Sequence, residues 1–144
     1  MGARTLRNWI ARPLARATDV NARLDAVEAC VKDRAALACL RNLLTGVRDL
    51  ERLIAKVDAA RANPRDLKGL ATSLRPIPEI LSALANLTEL KHLSQLSPQP
   101  ELVDLIDRAI AEDPPVLLVD GGFIAPGYDA ELDELRRMAS EGHQ

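Results

Sequence analysis

The sequence predicts an all-α fold, an irregular multi-helix bundle with one short β-hairpin near residues 116–124. Apolar side chains recur every three to four residues along most of the chain, which is the spacing of amphipathic helices. Asn, Asp, Pro and Gly stand between these stretches, where helices begin and end. Aromatic residues make up only 2% of the 144 residues, so the core must consist of Leu, Ile, Val and Ala. This length is typical of one domain, and we expect a single helical domain over residues 1–144.

Four helices are expected before residue 60, each with one apolar face. The first spans residues 3–14 and is limited by Pro13, while Asp33 and Gly46 are placed to cap the third, Gly46 in a left-handed conformation. Their apolar residues recur with the period of a helix and so share one face in each. They comprise Leu6, Trp9 and Ile10; Val20, Leu24, Val27 and Val31; Leu37, Leu40 and Leu44; and Val47, Leu50, Leu53, Ile54 and Val57.

A second group of helices follows Asn63–Pro64, where Asn is placed as the N-cap and Pro as the first helical residue. Pro76 and Pro78 remove two backbone donors within one turn, which costs more than the ~3 kcal/mol of a single interior proline. We therefore predict a break between helical stretches at 64–75 and 79–87. The rest of the chain is interpreted as one loop and two helices, at 94–100, 101–111 and 129–140.

The predicted hairpin lies between the last two helices. The β-rich run Val116–Val119 is followed by a turn signal at residues 120–122 and then by Phe123–Ile124. An isolated hairpin is marginally stable in water, so this one should pack on the helices. Phe123 and Leu118 are the expected anchors of that packing.

The charge pattern does not favour autonomous nucleic-acid binding. The chain has 19 basic and 21 acidic residues and a net charge of −2, whereas free-standing DNA-binding domains usually carry a basic face. Three aromatic residues are too few for a base-stacking platform. Basic residues gather near the N-terminus, where a solvated helix face is the favoured interpretation. They are Arg4, Arg7, Arg12 and Arg16.

Neither metal binding nor membrane insertion is indicated. Cys30 and Cys39 have no second Cys or His at metal-ligand spacing, so we expect reduced, buried thiols in helices. No apolar run approaches the ~20 residues of a membrane span. The expected location is cytoplasmic, without membrane contact.

The sequence shows no recognisable catalytic site. Gly121–Gly122 is not followed by the Lys-Ser or Lys-Thr of a phosphate-binding loop. His92 is interpreted as a surface or structural histidine, and His143, near the end of the chain, is expected to be disordered. Acidic residues at 129–134 suit the positive end of a helix dipole better than an acid–base pair, because no cleft is indicated. No catalytic, cofactor-binding or metal residue is therefore predicted. The acidic residues are Asp129, Glu131, Asp133 and Glu134.

Five pieces of the chain, taken in order, carry a family resemblance. They are MGAR, LRNW and PL at 1–4, 6–9 and 13–14; ARLDAVE at 22–28; GVRDLERL at 46–53; NPRDL at 63–67; and GGFIAPGYDAELDELR at 121–136. This ordered set resembles the core region of MutS, the ATPase family that recognises DNA mismatches. The resemblance covers nearly the whole chain, and it rests on the order of the pieces more than on any one of them.

The resemblance implies a core segment that links the ATPase to the DNA-binding parts. The family's mismatch-reading domain with its Phe-x-Glu wedge, its clamp, its remaining lever helices and its nucleotide-binding domain have no counterpart in the sequence. ATP and Mg²⁺ belong to those other parts, so no cofactor is expected in this chain. The implied partners are the remaining MutS domains, with mismatched DNA contacted only through them.

Three functional hypotheses follow. The first is a mechanical core or lever segment without catalysis of its own. The alternative is a free-standing helical module that binds a protein partner, and the third is a small hydrolase that uses the carboxylates at 129–134. We also expect a two-fold homodimer through the last helix, whose apolar residues would be left partly exposed. These residues are Leu132, Leu135 and Met138.

Overall fold

The computed structural model describes residues 2–85 and 87–141, apart from the side chains of residues 91–94. His143 and the side chain of His92 therefore lie outside the described residues. The all-α fold class is confirmed. Within the described part are eight α-helices and two 3-10 helices. The α-helices are α1 Ala3–Ala11, α2 Ala17–Lys32, α3 Arg34–Thr45, α4 Leu50–Asp58, α5 Pro64–Leu74, α6 Ile77–Leu84, α7 Pro100–Ala109 and α8 Ala130–Glu141, and the 3-10 helices are Thr88–Gln95 and Leu118–Asp120.

The chain divides into two compact units. Unit 1 comprises Met1–Val47 and Pro76–Pro98, and unit 2 comprises Arg48–Arg75 and Gln99–Gln144. Each unit has its own cluster of buried apolar side chains. The expectation of one domain over 1–144 stays a prediction.

The core of unit 1 lies where α3 packs against α6 and where α6 meets the first 3-10 helix. Asp33 caps α3 as expected, because its Oδ1 accepts a hydrogen bond of 2.9 Å from the backbone N–H of Ala36. Gly46 does not adopt the predicted left-handed conformation, since its φ is −81°. The buried cluster consists of Leu40, Ile80, Leu84 and Leu87.

The apolar face that the sequence pattern predicts on α2 remains largely exposed. None of its residues is buried, and Leu24 and Val27 are 59% and 60% exposed. Likewise α1 buries no side chain. Periodicity identifies the apolar face of a helix but not the element that covers it.

The core of unit 2 is built around α5, which packs against both α4 and α7. Ala71 at its centre has no exposed surface. Gly69 permits a close approach, because a Cβ at this position would lie 2.8 Å from Nη1 of Arg48. The buried cluster is Leu53, Leu70, Ala71, Val103, Ile106 and Ile110.

The predicted break at the two prolines is confirmed. Helix α5 ends at Leu74, and α6 begins at Ile77. Pro76 is the N-cap of α6 and Pro78 lies in its first turn. A missing N–H is tolerated there, because the first four N–H groups of a helix have no intrahelical partner.

The predicted hairpin is wrong. Val116–Val119 does not pair with Phe123–Ile124; instead Leu118–Asp120 forms a 3-10 turn, and Ile124 makes an antiparallel bridge with Ile110. The backbone N–H of Ala111 donates to the carbonyl of Phe123 at 2.9 Å.

The physical reason for this difference lies in burial. Ile110 belongs to the core of unit 2, and Ile124 packs against that core. By contrast, Leu118 is 56% exposed and therefore not an anchor, whereas Phe123 is partly buried. Pairing with the end of α7 covers more apolar surface than pairing with an exposed run.

Core truncation should separate buried from exposed apolar positions. Ile106→Ala removes a side chain that is 6% exposed, and we expect it to lower the free energy of unfolding by about 2–5 kcal/mol. Val119→Ala changes a side chain that is 89% exposed and serves as the control. Urea unfolding measures both variants, and equal losses would contradict the assignment of the core.

Candidate functional site

The acidic cluster at the start of α8 is engaged in local hydrogen bonds. Asp129 Oδ1 accepts from the N–H of Leu132 at 3.0 Å and so caps the helix. Asp133 Oδ2 accepts from the N–H of Gly127 at 2.6 Å, and its Oδ1 accepts from Arg136 at 3.2 Å. These bonds fasten α8 to the loop before it. They account for both carboxylates structurally, as the helix-dipole interpretation expected.

Arg136 completes this fastening. Its Nη1 contacts Asp133, and its Nη2 donates to the carbonyl oxygen of Ile124 at 3.1 Å. Glu134 pairs with Arg137 at 3.7 Å, and both side chains are exposed. The acidic residues are thus spread over separate partners and do not converge on a common point.

The other candidate residues also remain apart. Cys30 is partly buried, and Cys39 is exposed, contrary to the expected burial of both thiols. Among the described residues, no group of three or more His, Cys, Asp or Glu side chains could hold a metal ion. Over the same residues, no helix has the length and apolar composition to cross a membrane.

A partly buried ion pair joins α4 to α5. Lys56 Nζ donates to the two oxygens of Asp66 at 2.7 and 2.9 Å. Asp66 also forms a capping box with Asn63 at the start of α5. The hydrogen bonds from Lys56 hold the pKa of Asp66 below its ordinary value of 3.8.

A second carboxylate joins α5 to α7. Lys68 donates to Oδ1 of Asp107 at 3.0 Å, and Arg75 donates to Oδ2. Burial acts to raise the pKa of Asp107, but the bonds from the two cations outweigh it, so this pKa lies below 3.8. Both ends of α5 are therefore fixed by charged contacts within unit 2.

An open apolar groove of about 500 Å³ lies within unit 2, formed by α4, α5 and α7. Several of its side chains are half exposed, including Ile54 at 56% and Leu105 at 45%. Tyr128 also lines it and is 47% exposed. We call this the α4–α7 groove; its lining residues are Ile54, Val57, Leu67, Leu70, Leu102, Leu105, Ile106, Ala109, Ile110 and Tyr128. Its lining suits an apolar helix better than a polar substrate.

Comparison with known proteins identifies the family. A family model described as MutS domain III matches residues 1–143. The chain belongs to the MutS domain III family.

Three curated relatives carry the name DNA mismatch repair protein MutS. The protein from Salinibacter ruber is 46% identical over 145 residues, and that from Myxococcus xanthus is 42% identical over 145. Both alignments cover 99% of this chain and 16% of the relative. The protein from Methanosarcina barkeri is 39% identical over 151 residues, which covers all of this chain and 17% of the relative. This MutS domain III chain thus spans about a sixth of the length of these relatives.

The sequence contained only part of the information about the contacts of this MutS domain III. Asn63–Pro64 predicted the start of α5, and Asp66 at the third helical position is the signal of a capping box. No sequence pattern predicted the ion pair of Asp66 with Lys56 or the bridge through Asp107. These pairs join residues that are distant in sequence, so only the packing of the helices reveals them.

The contribution of Lys56 to stability should depend on pH in the acid range. Because the pKa of Asp66 is lower in the folded than in the unfolded chain, the pair stabilises the fold above pH 3.8, and this contribution is lost as the pH falls further. We expect Lys56→Gln to lower stability at neutral pH and to weaken its dependence on pH below about 4.

The matched control for this experiment is Lys32→Gln. Lys32 pairs with Glu28, but these side chains are 72% and 60% exposed, so water screens the pair. Thermal unfolding as a function of pH measures both variants. Identical pH profiles for the two variants would contradict a special role for Lys56.

Asp133 should contribute more to stability than Glu134. Asp133→Ala removes the contacts to Gly127 and Arg136, and we expect a loss of about 1 kcal/mol because the group is partly exposed. Glu134→Ala is the control, since its ion pair is exposed. Faster amide exchange at Gly127 in the first variant alone would locate the effect. Similar stability of both variants would contradict the proposed contribution of the Asp133 contacts.

Proposed function

We propose that this chain is the core, or lever, segment of a DNA mismatch repair protein of the MutS type. In this role it links the ATPase and the DNA-binding parts mechanically and performs no catalysis itself. The observation that carries the proposal is the family match over residues 1–143 together with relatives named DNA mismatch repair protein MutS.

The contacts within the chain support a mechanical role. Helix α5 is joined to α4 through Asp66 and to α7 through Asp107, so displacement of one helix is resisted by the others. Packed helices of this kind can carry a conformational change between distant sites. ATP and Mg²⁺ would bind to other parts of the longer cytoplasmic protein, and mismatched DNA would be contacted through those parts.

A chimera tests the mechanical role. In the Salinibacter ruber relative, residues 1–143 of this chain would replace the aligned segment, which is 46% identical. We expect the chimera to retain ATP hydrolysis that responds to mismatched DNA. The same chimera with Lys68→Met and Arg75→Met loses both cations of the Asp107 bridge and should hydrolyse ATP with a reduced response to the mismatch.

Two results would contradict the proposal. One is a chimera whose mismatch response is unaffected by loss of the Asp107 bridge, with both proteins equally well folded. The other concerns the isolated chain, for which we expect neither ATP turnover nor selective binding of a mismatched duplex in moderate salt. Mismatch-selective binding by the 144-residue chain would place DNA recognition in this segment.

The alternative is a free-standing module that binds a protein partner. The observation in its favour is the amount of exposed apolar surface, on α2 and in the α4–α7 groove. The two functions differ in gene structure. A reading frame that continues past residue 144 into clamp and ATPase sequence supports the first, and a stop codon at that point favours the second.

A further inference from the structure

Ser73 on α5 carries the only buried polar side chain among the described residues, and it is 1% exposed. Its Oγ donates to the carbonyl oxygen of Gly69 at 2.7 Å, which is a bond within the helix. The same Oγ accepts a hydrogen bond of 3.0 Å from the backbone N–H of Arg48, 25 residues earlier in the chain. Burial of a hydroxyl is unfavourable unless it is hydrogen-bonded, so these two bonds allow Ser73 to lie inside unit 2.

The bond to Ser73 holds the segment that precedes α4. Helix α4 begins at Leu50 with Asp49 as its N-cap, so the regular hydrogen bonds of the helix do not include the N–H of Arg48. The side chain of Arg48 also lies against α5, because a Cβ added at Gly69 would be 2.8 Å from its Nη1. The segment before α4 is therefore attached to α5 through both the backbone and the side chain of one residue.

Arg48 is also the residue at which the chain enters unit 2. The first segment of unit 1 ends at Val47 and the second begins at Pro76, so the chain returns to unit 1 after Arg75. Ser73 lies in the last turn of α5, two residues before this return. Its buried hydroxyl therefore joins the first passage between the units to the helix that leads into the second passage. Both of its hydrogen bonds lie within unit 2.

The Ser73 bond is protected from solvent, unlike the ion pair at the same end of α5. Water cannot readily replace Arg48 as the donor to an enclosed hydroxyl, and a buried polar group that loses a partner keeps the cost of its removal from water. By contrast, Arg75 pairs with Asp107 through a side chain that is 57% exposed, and water screens such a pair. The buried bond therefore resists displacement more strongly than the ion pair.

We propose that Ser73 is a positioning residue that couples the two passages of the chain. Through its bond to Arg48, a displacement of the segment before α4 is carried directly to the last turn of α5, and a displacement at Arg75 is carried back. This role deepens the proposed lever function and rests on it for its biological meaning. The restraint on the two passages is a property of this chain alone, so the isolated chain suffices to measure it.

Amide exchange tests whether the bond holds the segment before α4. Ser73→Ala removes only the oxygen, so the fold should be retained. We expect the amide of Arg48 to exchange about tenfold faster in this variant, because it loses its acceptor, whereas the amide of Ile106 in α7 should change much less. Thr72→Ala is the matched control, since Thr72 Oγ1 makes the same kind of bond, to the carbonyl of Lys68 at 2.8 Å, but at an exposed position. Equal exchange at Arg48 in both variants would overturn the proposal.

Distances between spin labels test the coupling itself. One label is attached to Cys39 of unit 1 and the other to Asp104→Cys on α7 of unit 2, and both positions are exposed. Cys30→Ala removes the other cysteine of the chain. We expect Ser73→Ala to broaden the distribution of distances and Thr72→Ala to leave it as in the native chain. Identical distributions for the two variants would overturn the coupling, even if amide exchange is faster in the first.

The chimera with the Salinibacter ruber relative gives a functional readout. Ser73→Ala in this chimera should reduce the response of ATP hydrolysis to mismatched DNA about threefold and leave hydrolysis without DNA unchanged, a split that loss of folding would not produce. Thr72→Ala should retain both activities. A full mismatch response in the Ser73→Ala chimera would overturn the coupling. If the unmutated chimera shows no response, the proposed function fails, and the label distances in the isolated chain still decide the coupling.

Discussion

The packing of α5 against α4 and α7 is the constraint on which unit 2 depends. Ala71 is fully enclosed at this contact, so the small side chain sets how closely the helices approach. The charged contacts lie at the margins of this apolar centre, at Asp66 and Asp107. Burial supplies most of the stabilisation, and the ion pairs fix which helix faces meet. Displacement of α5 would disrupt both at once.

The sequence predicted where helices begin and end better than it predicted which elements pack against each other. The signals at Asn63–Pro64 and at the two later prolines are local, and the structure follows them. The hairpin prediction is wrong because Ile124 pairs with Ile110. Whether Ile124 pairs with Ile110 or with the apolar run before it depends on tertiary burial. The exposure of the apolar face of α2 has a related cause, since a sequence pattern does not show which element covers a helix face. Family membership was predictable because it depends on the order of motifs rather than on their contacts.

In the candidate site, too, local features could be predicted from the sequence and the packing of helices could not. Asp129 at the start of the acidic cluster caps α8, a local effect that a sequence pattern can indicate. The α4–α7 groove was not predicted, although its residues lie at regular helical spacing. Ile54 and Leu105 have the pattern of core residues and are nevertheless half exposed. Only the three-dimensional arrangement of the helices distinguishes such an open apolar face from the core.

The contact between Gly69 and Arg48 has a consequence for sequence variation. The arginine side chain lies where a Cβ at position 69 would be, with its Nη1 at 2.8 Å, so a larger residue at 69 requires this flexible side chain to shift. The two positions should therefore vary together among relatives. A chain with a small residue at position 48 has room for alanine at 69, whereas a chain with arginine at 48 can carry alanine there only if the guanidinium moves aside. Such compensation would appear as correlated substitutions at positions 48 and 69, even where neither residue takes part in function.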